Sequence, residues 1–550
     1  MKLVVGAIAV LSAAFGGFFA CSSGYAHEHS DQMPSDAKLG TVSFEISCKS
    51  ELQPDFNRAI ALLHSFWHSE AQQAFEKIAA ADPNCAIAYW GEAMSHFHLG
   101  LSWPTPADLT AGAEALNKAD AATEKTPREA AYIRALRVLY DSFKPEDSWV
   151  YFQHYAEAMA QLGAAYPSDL EAKVFYALAL ILAQPPDDVD LVETKKAVQV
   201  LTPLLQEYPD HPGIAHYLVH ACDTPQLAQQ GLEAARRYAQ IAPASPHALH
   251  MPGHIFARLG LWQEDIRSNL ASKAAAENAH AGAENRLHAM EFLEYAYLQI
   301  GHDEESRAII AEAKTIPRSE VDLRYGNYFA VVQARFPTMF AIETHDWLTA
   351  AHAKAIEGDT DHGSGRALTL LAHAIAAGHL RDRALARSTL RETQALMKEQ
   401  MKGKPLPRSG TAEATFSDEI QAWTDFANRD LTAAAHLLRP IADRQDKVGK
   451  GELDLPVREM IAEMFLIDGK TDESLREYQA SLKSDPNRFN GLLGAAKAAE
   501  QLGQRDLAVS YYRTLLTNCA GANGKAMAEL RHAQTMVSES PVSATDSARK

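Results

Sequence analysis

The feature that most constrains the fold is a helical sequence pattern that recurs at a spacing of 34 residues. From about residue 50 onward, apolar residues recur at i, i+3, i+4 and i+7, and clusters of β-branched residues are few. Near the C-terminus, Ser474 aligns with Ala508 at this spacing, and Tyr478 aligns with Tyr512. Because a fixed period of this length is typical of stacked helix pairs, the pattern predicts an all-α repeat fold.

The first clear unit, "FNRAIALLHSFWHSEAQQAFEKIAAADP", resembles the tetratricopeptide repeat family. That family has a small residue, an alanine, an aromatic residue and a proline at set positions. The residues at these positions here are Ala59, Ala71, Phe75 and Pro83. The resemblance covers most of residues 50–525 and implies a right-handed superhelical solenoid of antiparallel helix pairs. In such a solenoid the first helix of each pair, helix A, lines a concave wall, and the resemblance implies that this wall binds a protein or peptide.

The charge composition indicates which class of macromolecule we expect the protein to bind. The 550 residues contain 52 Lys and Arg against 70 Asp and Glu, which gives a formal net charge of −18. Binding of DNA or RNA depends on concentrated positive charge, so we expect no nucleic-acid partner. Apolar residues make up 47% of the chain and charged residues 22%, which indicates a well-packed protein.

The first residues predict export from a bacterial cell. Lys2 precedes an apolar run that reaches about Ala20, which is typical of a signal peptide over residues 1–26. Two processing routes stay open: cleavage after Ala26, or a lipoprotein signal that ends before Cys21 and leaves it lipidated. The expected location is the periplasm or, as a lipoprotein, the outer membrane, and a lipid on Cys21 would be the only membrane contact.

The rest of the chain divides by composition. We expect a flexible leader over residues 27–49, a repeat solenoid over 50–400, and a loop rich in Lys, Pro and Gly over 401–419. Further repeats are predicted over 420–530, followed by a polar, disordered tail over 531–550.

The repeat register predicts where Cys48 and Cys85 lie relative to each other. Cys48 precedes helix A of the first unit and Cys85 precedes helix A of the second, so both lie at the same edge of neighbouring layers. A disulfide between them is therefore plausible in an oxidising compartment. The alternative is that both are small, buried and unpaired.

Four histidines repeat in the same register. His216 and His220 lie 34 residues before His250 and His254. Residues four apart share one helix face, and the resemblance puts these positions of helix A on the concave wall. The four imidazoles are therefore expected to point into one small volume, where they are candidate ligands of a transition metal.

Other polar side chains are expected around this patch, so that the whole set is a candidate ligand-binding or partner-binding site. They are His247, Asp223, His288 and Glu291. Pro252 lies inside the predicted helix that carries His250 and His254, and it should kink that helix.

Three hypotheses follow for the patch. The first is binding of a protein or peptide on the concave face. The second is binding of Cu(II), Zn(II) or Ni(II), with a carboxylate orienting a ring. The third is a purely structural role. A metal-dependent enzyme is a weaker extension of the second hypothesis, because no catalytic motif is present.

The remaining histidines are interpreted as packing or ordinary helix residues. They include His64, His68, His96 and His98 near the N-terminus, and His345, His352, His373 and His379 further on.

Overall fold

The protein is all-α, as the sequence pattern predicts. The computed structural model describes residues 37–100, 104–141, 143–145, 148–185, 188–278, 282–321, 326–355, 364–401, 409, 414–451 and 453–539. Within these ranges the regular structure consists of α-helices and two short 3-10 turns, with no strand. None of the helices in the described part of the chain is long and apolar enough to cross a membrane.

The helices fall into two compact units. Within the described residues, the first unit comprises residues 37–255 and 268–286, and the second comprises 256–267 and 287–539. The helices that lie in the first unit are α1 Gln53–His64, α2 His68–Ala81, α3 Ala86–Phe97, α4 Pro106–Ala121, α5 Pro127–Tyr140, α6 Ser148–Ala165, α7 Leu170–Leu182, α8 Val192–Glu207, α9 Pro212–Cys222, α10 Ala228–Ile241 and α11 Pro246–His250.

Three helices contain residues of both units: α12 Pro252–Arg258, α13 Trp262–Asn278 and α14 Ala283–Gln299. The helices that lie in the second unit are α15 Asp303–Ala313, α16 Gly326–Glu343, α17 Trp347–Ala350, α18 Ser364–Leu380, α19 Arg383–Gln400, α20 Thr415–Ala427, α21 Leu431–Val448, α22 Val457–Ile467, α23 Thr471–Ser484, α24 Phe489–Gln501, α25 Arg505–Asn518 and α26 Ala526–Ser538.

Within each unit, helices that follow one another pack together, and short connections make them antiparallel. Small residues let aromatic side chains approach the neighbouring backbone. The ring of Phe75 on α2 leaves no room for a Cβ at Gly91 on α3, and Tyr478 on α23 does the same at Gly494 on α24. This is the contact of a small and an aromatic residue that the repeat pattern predicts, so the fold is of the tetratricopeptide type.

The loop predicted over 401–419 does not separate two units. The helix α19 ends at Gln400 and α20 begins at Thr415, and both α18 and α19 pack against α20. One hydrophobic core runs from Met339 in α16 to Phe465 in α22. The segment therefore joins neighbouring layers of one solenoid, because the apolar faces on its two sides bury each other. Residues 402–408 and 410–413 lie outside the described residues.

The predicted leader is not wholly flexible, because its described part, residues 37–49, packs onto the first unit. Leu39, Val42 and Phe44 are buried, and the backbone N–H of Phe44 donates to Asn57 Oδ1 at 3.0 Å. The alternation of apolar residues supplies enough buried surface to fix this extended segment. The predicted signal peptide and Cys21 lie outside the described residues.

The predicted tail also starts later than expected. Helix α26 continues to Ser538, eight residues into the segment 531–550, because Leu530 and Ala533 are buried against the preceding helices. Residues 540–550 lie outside the described residues.

A disulfide links Cys48 to Cys85, with their Cα atoms 5.0 Å apart. The bond joins the segment before α1 to the residue that precedes α3. Cys222 and Cys519 are buried free thiols.

A buried polar network joins α1, α7 and α9. Glu171 on α7 accepts hydrogen bonds from Nε2 of His64 and Nε2 of His211, both at 2.8 Å. The backbone N–H of Ile214 donates to Nδ1 of His211, and the hydroxyl of Tyr217 lies 2.9 Å from Nδ1 of His64. Every nitrogen of these two rings therefore has a partner, and the first helix of the unit is held against the ninth.

Replacing Gly213 by alanine should disturb this network. A Cβ at this position would lie 2.5 Å from Nδ1 of His64, so we expect Gly213→Ala to lower the free energy of unfolding by about 1–3 kcal/mol. The matched control is Gly163→Ala in α6, where no atom lies within 4 Å of the added carbon. The control should be neutral or stabilising by up to about 1 kcal/mol. Denaturant unfolding measures both, and equal stability of the two variants would contradict the packing described.

The network should also make the free energy of unfolding depend on pH. Burial alone would raise the pKa of Glu171, but charge interactions with His211 and His64 outweigh burial and hold it well below its usual range. A carboxyl whose pKa is lowered on folding stabilises the folded state at neutral pH, and this contribution is lost as the pH falls below about 4.3. Glu171→Gln should therefore cost about 2 kcal/mol at pH 7 and progressively less in acid. A difference in the free energy of unfolding that stays constant from pH 7 down to about pH 2 would contradict this role.

Candidate metal centre

Helix α9 places His216 and His220 side by side. The side chain of His211 caps the N-terminus of this helix, and Pro212 occupies its first turn. His216 and His220 are four residues apart within the helix, so they share one face. Their Nε2 atoms are 3.0 Å apart, with His216 fully buried and His220 half-buried.

His247 brings a third imidazole to the same point from α11. The side chain of Ser245 caps this helix and Pro246 is its first residue, which fixes the orientation of its first turn. Nε2 of His247 lies 3.0 Å from Nε2 of His216. The ligand nitrogens of His216, His220 and His247, which we call the trio, all lie within 4.8 Å of one another.

The backbone of His64 sets the tautomer of the central ring. Nδ1 of His216 lies 2.6 Å from the carbonyl oxygen of His64, and because a carbonyl can only accept, Nδ1 must carry the hydrogen. Nε2 of His216 is then a bare lone pair. One lone pair accepts one hydrogen bond, yet two imidazole nitrogens lie 3.0 Å from it. This arrangement is suited to a cation rather than to hydrogen bonding alone.

His250 and His254, which we call the pair, form a second set with their Nε2 atoms 2.9 Å apart. Nδ1 of His250 lies 2.6 Å from Oδ1 of the buried Asn269, and Nδ1 of His254 lies 3.0 Å from a carboxylate oxygen of Asp223. Each ring thus has an oxygen acceptor at Nδ1, and the Nε2 atoms of the two rings face each other.

The helix that carries the pair is interrupted, as Pro252 predicts. Helix α11 ends at His250 and α12 begins at Pro252, with Met251 between them. His247 and His250 therefore sit on a segment of five residues, while His254 belongs to the next helix.

The electrostatic surroundings favour neutral imidazoles. Burial lowers the pKa of His216 well below its usual value, and the neighbouring His220 lowers it further. Burial likewise lowers the pKa of His247, with further lowering by His216 and His220. Since a metal ion binds the neutral ring, His216 and His247 are held in the protonation state that a metal requires.

Aromatic rings surround the trio. The Phe66 ring centroid lies 4.4 Å from that of His216, 5.4 Å from that of His220 and 5.6 Å from that of His247. Tyr238 stacks on the other side of His216, with centroids 4.9 Å apart. Phe66 has the left-handed backbone conformation, with φ of 53°, which turns its ring toward the histidines. This apolar surround limits access of water to the nitrogens.

His64, Glu171 and His211 form another close group of possible ligands, and all three are buried. Their polar atoms are already matched by hydrogen bonds to one another, to Tyr217 and to Ile214. We therefore interpret this group as the support of His216 rather than as a metal site.

The structure changes the predicted ligand set in two ways. The histidines expected as one metal site, His216, His220, His250 and His254, fall into two sets, because close approach of their nitrogens occurs within each set. His247, expected only in the surroundings, completes the first set. A carboxylate oxygen of Asp223 lies 3.0 Å from Nδ1 of His254, so this carboxylate can orient that ring.

The other two predicted residues belong to the second unit. There, Nδ1 of His288 lies 3.4 Å from Glu291. Glu291 also accepts from the hydroxyl of Tyr328 and lies 3.8 Å from the guanidinium of Arg335.

The second unit contains a groove that sequence reasoning missed, with a volume of about 190 Å³. Rings of His345, Trp347, His379 and Trp423 stack along it, and the centroids of Trp347 and His379 are 3.7 Å apart. Burial would raise the pKa of Glu463, but His379 and His345 outweigh it and lower this pKa to about 2, so the groove holds a carboxylate at neutral pH.

Comparisons with known proteins locate the chain only at the level of its fold. No family model matches the sequence, and no curated protein does. Among solved structures, it is similar to yeast Tom70, with 9% identity over 88% of this chain and 94% of that one and a TM-score of 0.31. It is also similar to human IFIT1 in a dimer with m7Gppp-AAAA, with 10% identity, coverages of 90% and 97%, and a TM-score of 0.35. The APC/C hetero-tetramer Cut9–Hcn1 gives 12% identity, coverages of 88% and 96%, and a TM-score of 0.31. At this level of likeness, no ligand of these proteins can be transferred to this chain.

Proposed function

We propose that this protein is an exported helical-repeat protein that binds a transition-metal ion through His216, His220 and His247. The observation that carries the proposal is the bare Nε2 lone pair of His216, which meets two other imidazole nitrogens at 3.0 Å. A metal ion between the three rings would satisfy all three nitrogens at once.

The ligand type indicates the class of metal. Imidazole suits Cu(II), Zn(II) and Ni(II). With metal–nitrogen bonds of about 2.0–2.1 Å, two bound nitrogens are about 3.3 Å apart in a tetrahedral site and about 2.9 Å apart in a square-planar one. The separations of Nε2 of His216 from the nitrogens of His220 and His247, both 3.0 Å, lie between these values, so small ring movements would suit either geometry. Three protein nitrogens also leave a coordination position open to water or a ligand.

Export is supported by the Cys48–Cys85 disulfide. Disulfides persist in oxidising compartments and are rare in the reducing cytosol. The disulfide and the predicted signal peptide therefore favour the same location, the bacterial envelope.

Substitution of a half-buried ligand tests metal binding. We expect His220→Ala and His247→Ala each to weaken the tightest Zn(II) site of the chelator-treated protein by about 100-fold or more, since even loss of an outer-shell partner costs 10–100-fold. Isothermal titration with Zn(II) gives the affinity. His436→Ala, which changes an exposed histidine on α21, should bind as the unaltered protein does.

A thermal melt of each apo variant separates lost binding from lost folding. If the two substitutions leave Zn(II) affinity unchanged, or if the unaltered protein binds no Zn(II), the proposed function is wrong.

A second function, binding of a protein or peptide partner, is favoured by the groove of the second unit. Its volume, about 190 Å³, is below the usual size of a cofactor site and is suited to one inserted side chain. Stacked aromatic rings beside the carboxylate of Glu463 favour a cation, through charge and cation–π attraction. We therefore propose that the groove takes a Lys or Arg side chain of a partner.

A peptide library tests this second function. Peptides selected for binding should be enriched in Lys and Arg, and Glu463→Gln should weaken them by about tenfold, as expected for loss of a charge-assisted hydrogen bond. Glu392→Gln on the exposed face of α19 is the control. Selected peptides without enrichment, or with equal affinity for both variants by fluorescence polarisation, would exclude the groove as the binding site.

A further inference from the structure

We infer that His250 and His254 hold a second metal ion, so that the chain carries a centre of two metals. The inference rests on the proposed function of the trio and extends it. The pair has a hydrogen-bonding arrangement of its own, which does not depend on the nitrogens of the trio.

The first step concerns the hydrogens of the two rings. A carboxylate accepts only, so Nδ1 of His254 carries the hydrogen that bonds to Asp223. Oδ1 of Asn269 accepts in the same way from Nδ1 of His250. When both rings are neutral, both Nε2 atoms are then lone pairs, and they lie 2.9 Å apart. Two lone pairs at this distance repel each other unless a cation lies between them.

The second step concerns the oxygen partners. Histidines that bind metals usually donate their other nitrogen to a carboxylate, an amide or a backbone carbonyl, which fixes the tautomer and the direction of the ring. His250 and His254 each have such a partner, as His216 has in the carbonyl of His64. The same hydrogen-bonding arrangement, an oxygen acceptor at Nδ1, therefore occurs in the trio and in the pair, one repeat apart.

The third step concerns the distance between the sets. The ring centroids of His247 in the trio and His250 in the pair are 6.4 Å apart, and both residues lie on α11. Two ions bound by the two sets would therefore be neighbours. Their charges would be separated by imidazoles and not by bulk solvent, so binding of one would affect binding of the other.

The chemistry of the second site differs from that of the first. The pair offers two imidazole nitrogens, and the carboxylate of Asp223 is occupied in orienting His254. Coordination of a second ion by the pair would thus leave Asp223 as the group that orients His254 and not as a ligand.

The number of ions bound per chain tests the inference. We use Zn(II) as the probe, because it favours imidazole nitrogens and does not change its oxidation state. Full-length, untagged protein is stripped with a chelator, loaded with Zn(II), desalted and analysed for metal by mass spectrometry. We expect two Zn(II) per chain, one per chain for the double variant His250→Ala/His254→Ala, and two for the control His436→Ala.

A milder variant covers the case in which the double variant does not fold. Asp223→Ala leaves both rings of the pair in place but removes the oxygen that orients His254. It should weaken the second Zn(II) by about 10–100-fold and leave the first unchanged.

The outcomes separate the two proposals. One Zn(II) per chain in the unaltered protein, with no further loss in the double variant, would overturn the second site and leave the trio intact. Such a result would mean that a proton, and not a metal ion, lies between the Nε2 atoms of His250 and His254. No bound Zn(II) in the unaltered protein would overturn the proposed function itself.

Discussion

The hydrogen bond from Nδ1 of His216 to the carbonyl oxygen of His64 determines the chemistry of the first unit. A backbone carbonyl cannot donate, and it cannot be rotated away without moving the end of α1. The bond therefore fixes both the tautomer and the direction of a fully buried imidazole. A side-chain acceptor would allow more freedom, as Asn269 does for His250. Nε2 of His216, which faces His220 and His247, carries a lone pair because the hydrogen of the ring is on Nδ1, where it bonds to the carbonyl of His64.

The position of that carbonyl depends in turn on packing across the first unit. His64 is the last residue of α1, and its ring is held by Glu171 from α7 and by Tyr217 from α9. The absence of a side chain at Gly213 lets α9 approach this ring. Helices far apart in sequence thus cooperate to place one oxygen atom. Two buried histidines around an ionised carboxylate are costly to desolvate, and complete hydrogen bonding is what offsets that cost.

The sequence predicted the class of fold and the histidine register well, because both are properties of spacing. Ser474, Tyr478, Ala508 and Tyr512 are buried as their 34-residue offset implies. Spacing also paired His216 with His220 and His250 with His254, and Pro252 marked the helix break between them. It could not say whether four rings share one point, since that depends on the angle between α9 and α11, which the period of a single helix does not contain.

The groups that complete the site had no sequence signal. Asn269 is one of many polar residues of α13, and the acceptor for His216 is a backbone atom, which every residue possesses. Phe66 lies between His64 and His68, which were interpreted as packing residues, and its left-handed backbone, which no spacing predicts, accompanies its contact with His216. His379 was interpreted as an ordinary helix residue, and only the stacking of separate helices brings it together with Trp423. Contacts between distant segments are what a single sequence encodes least directly.

The helix break at Met251 has a consequence for the choice of ion. A long helix would carry its histidines on a ladder of hydrogen bonds, and a change of a few tenths of an ångström between rings would strain the whole element. Helix α11 is five residues long, and Pro252 has no N–H, so the ladder lacks one hydrogen bond between His250 and His254. The donor atoms are the same for an ion that demands a square plane and for one that accepts a tetrahedron. A preference between the two ions would then depend on how far the backbone at the missing hydrogen bond lets the rings move.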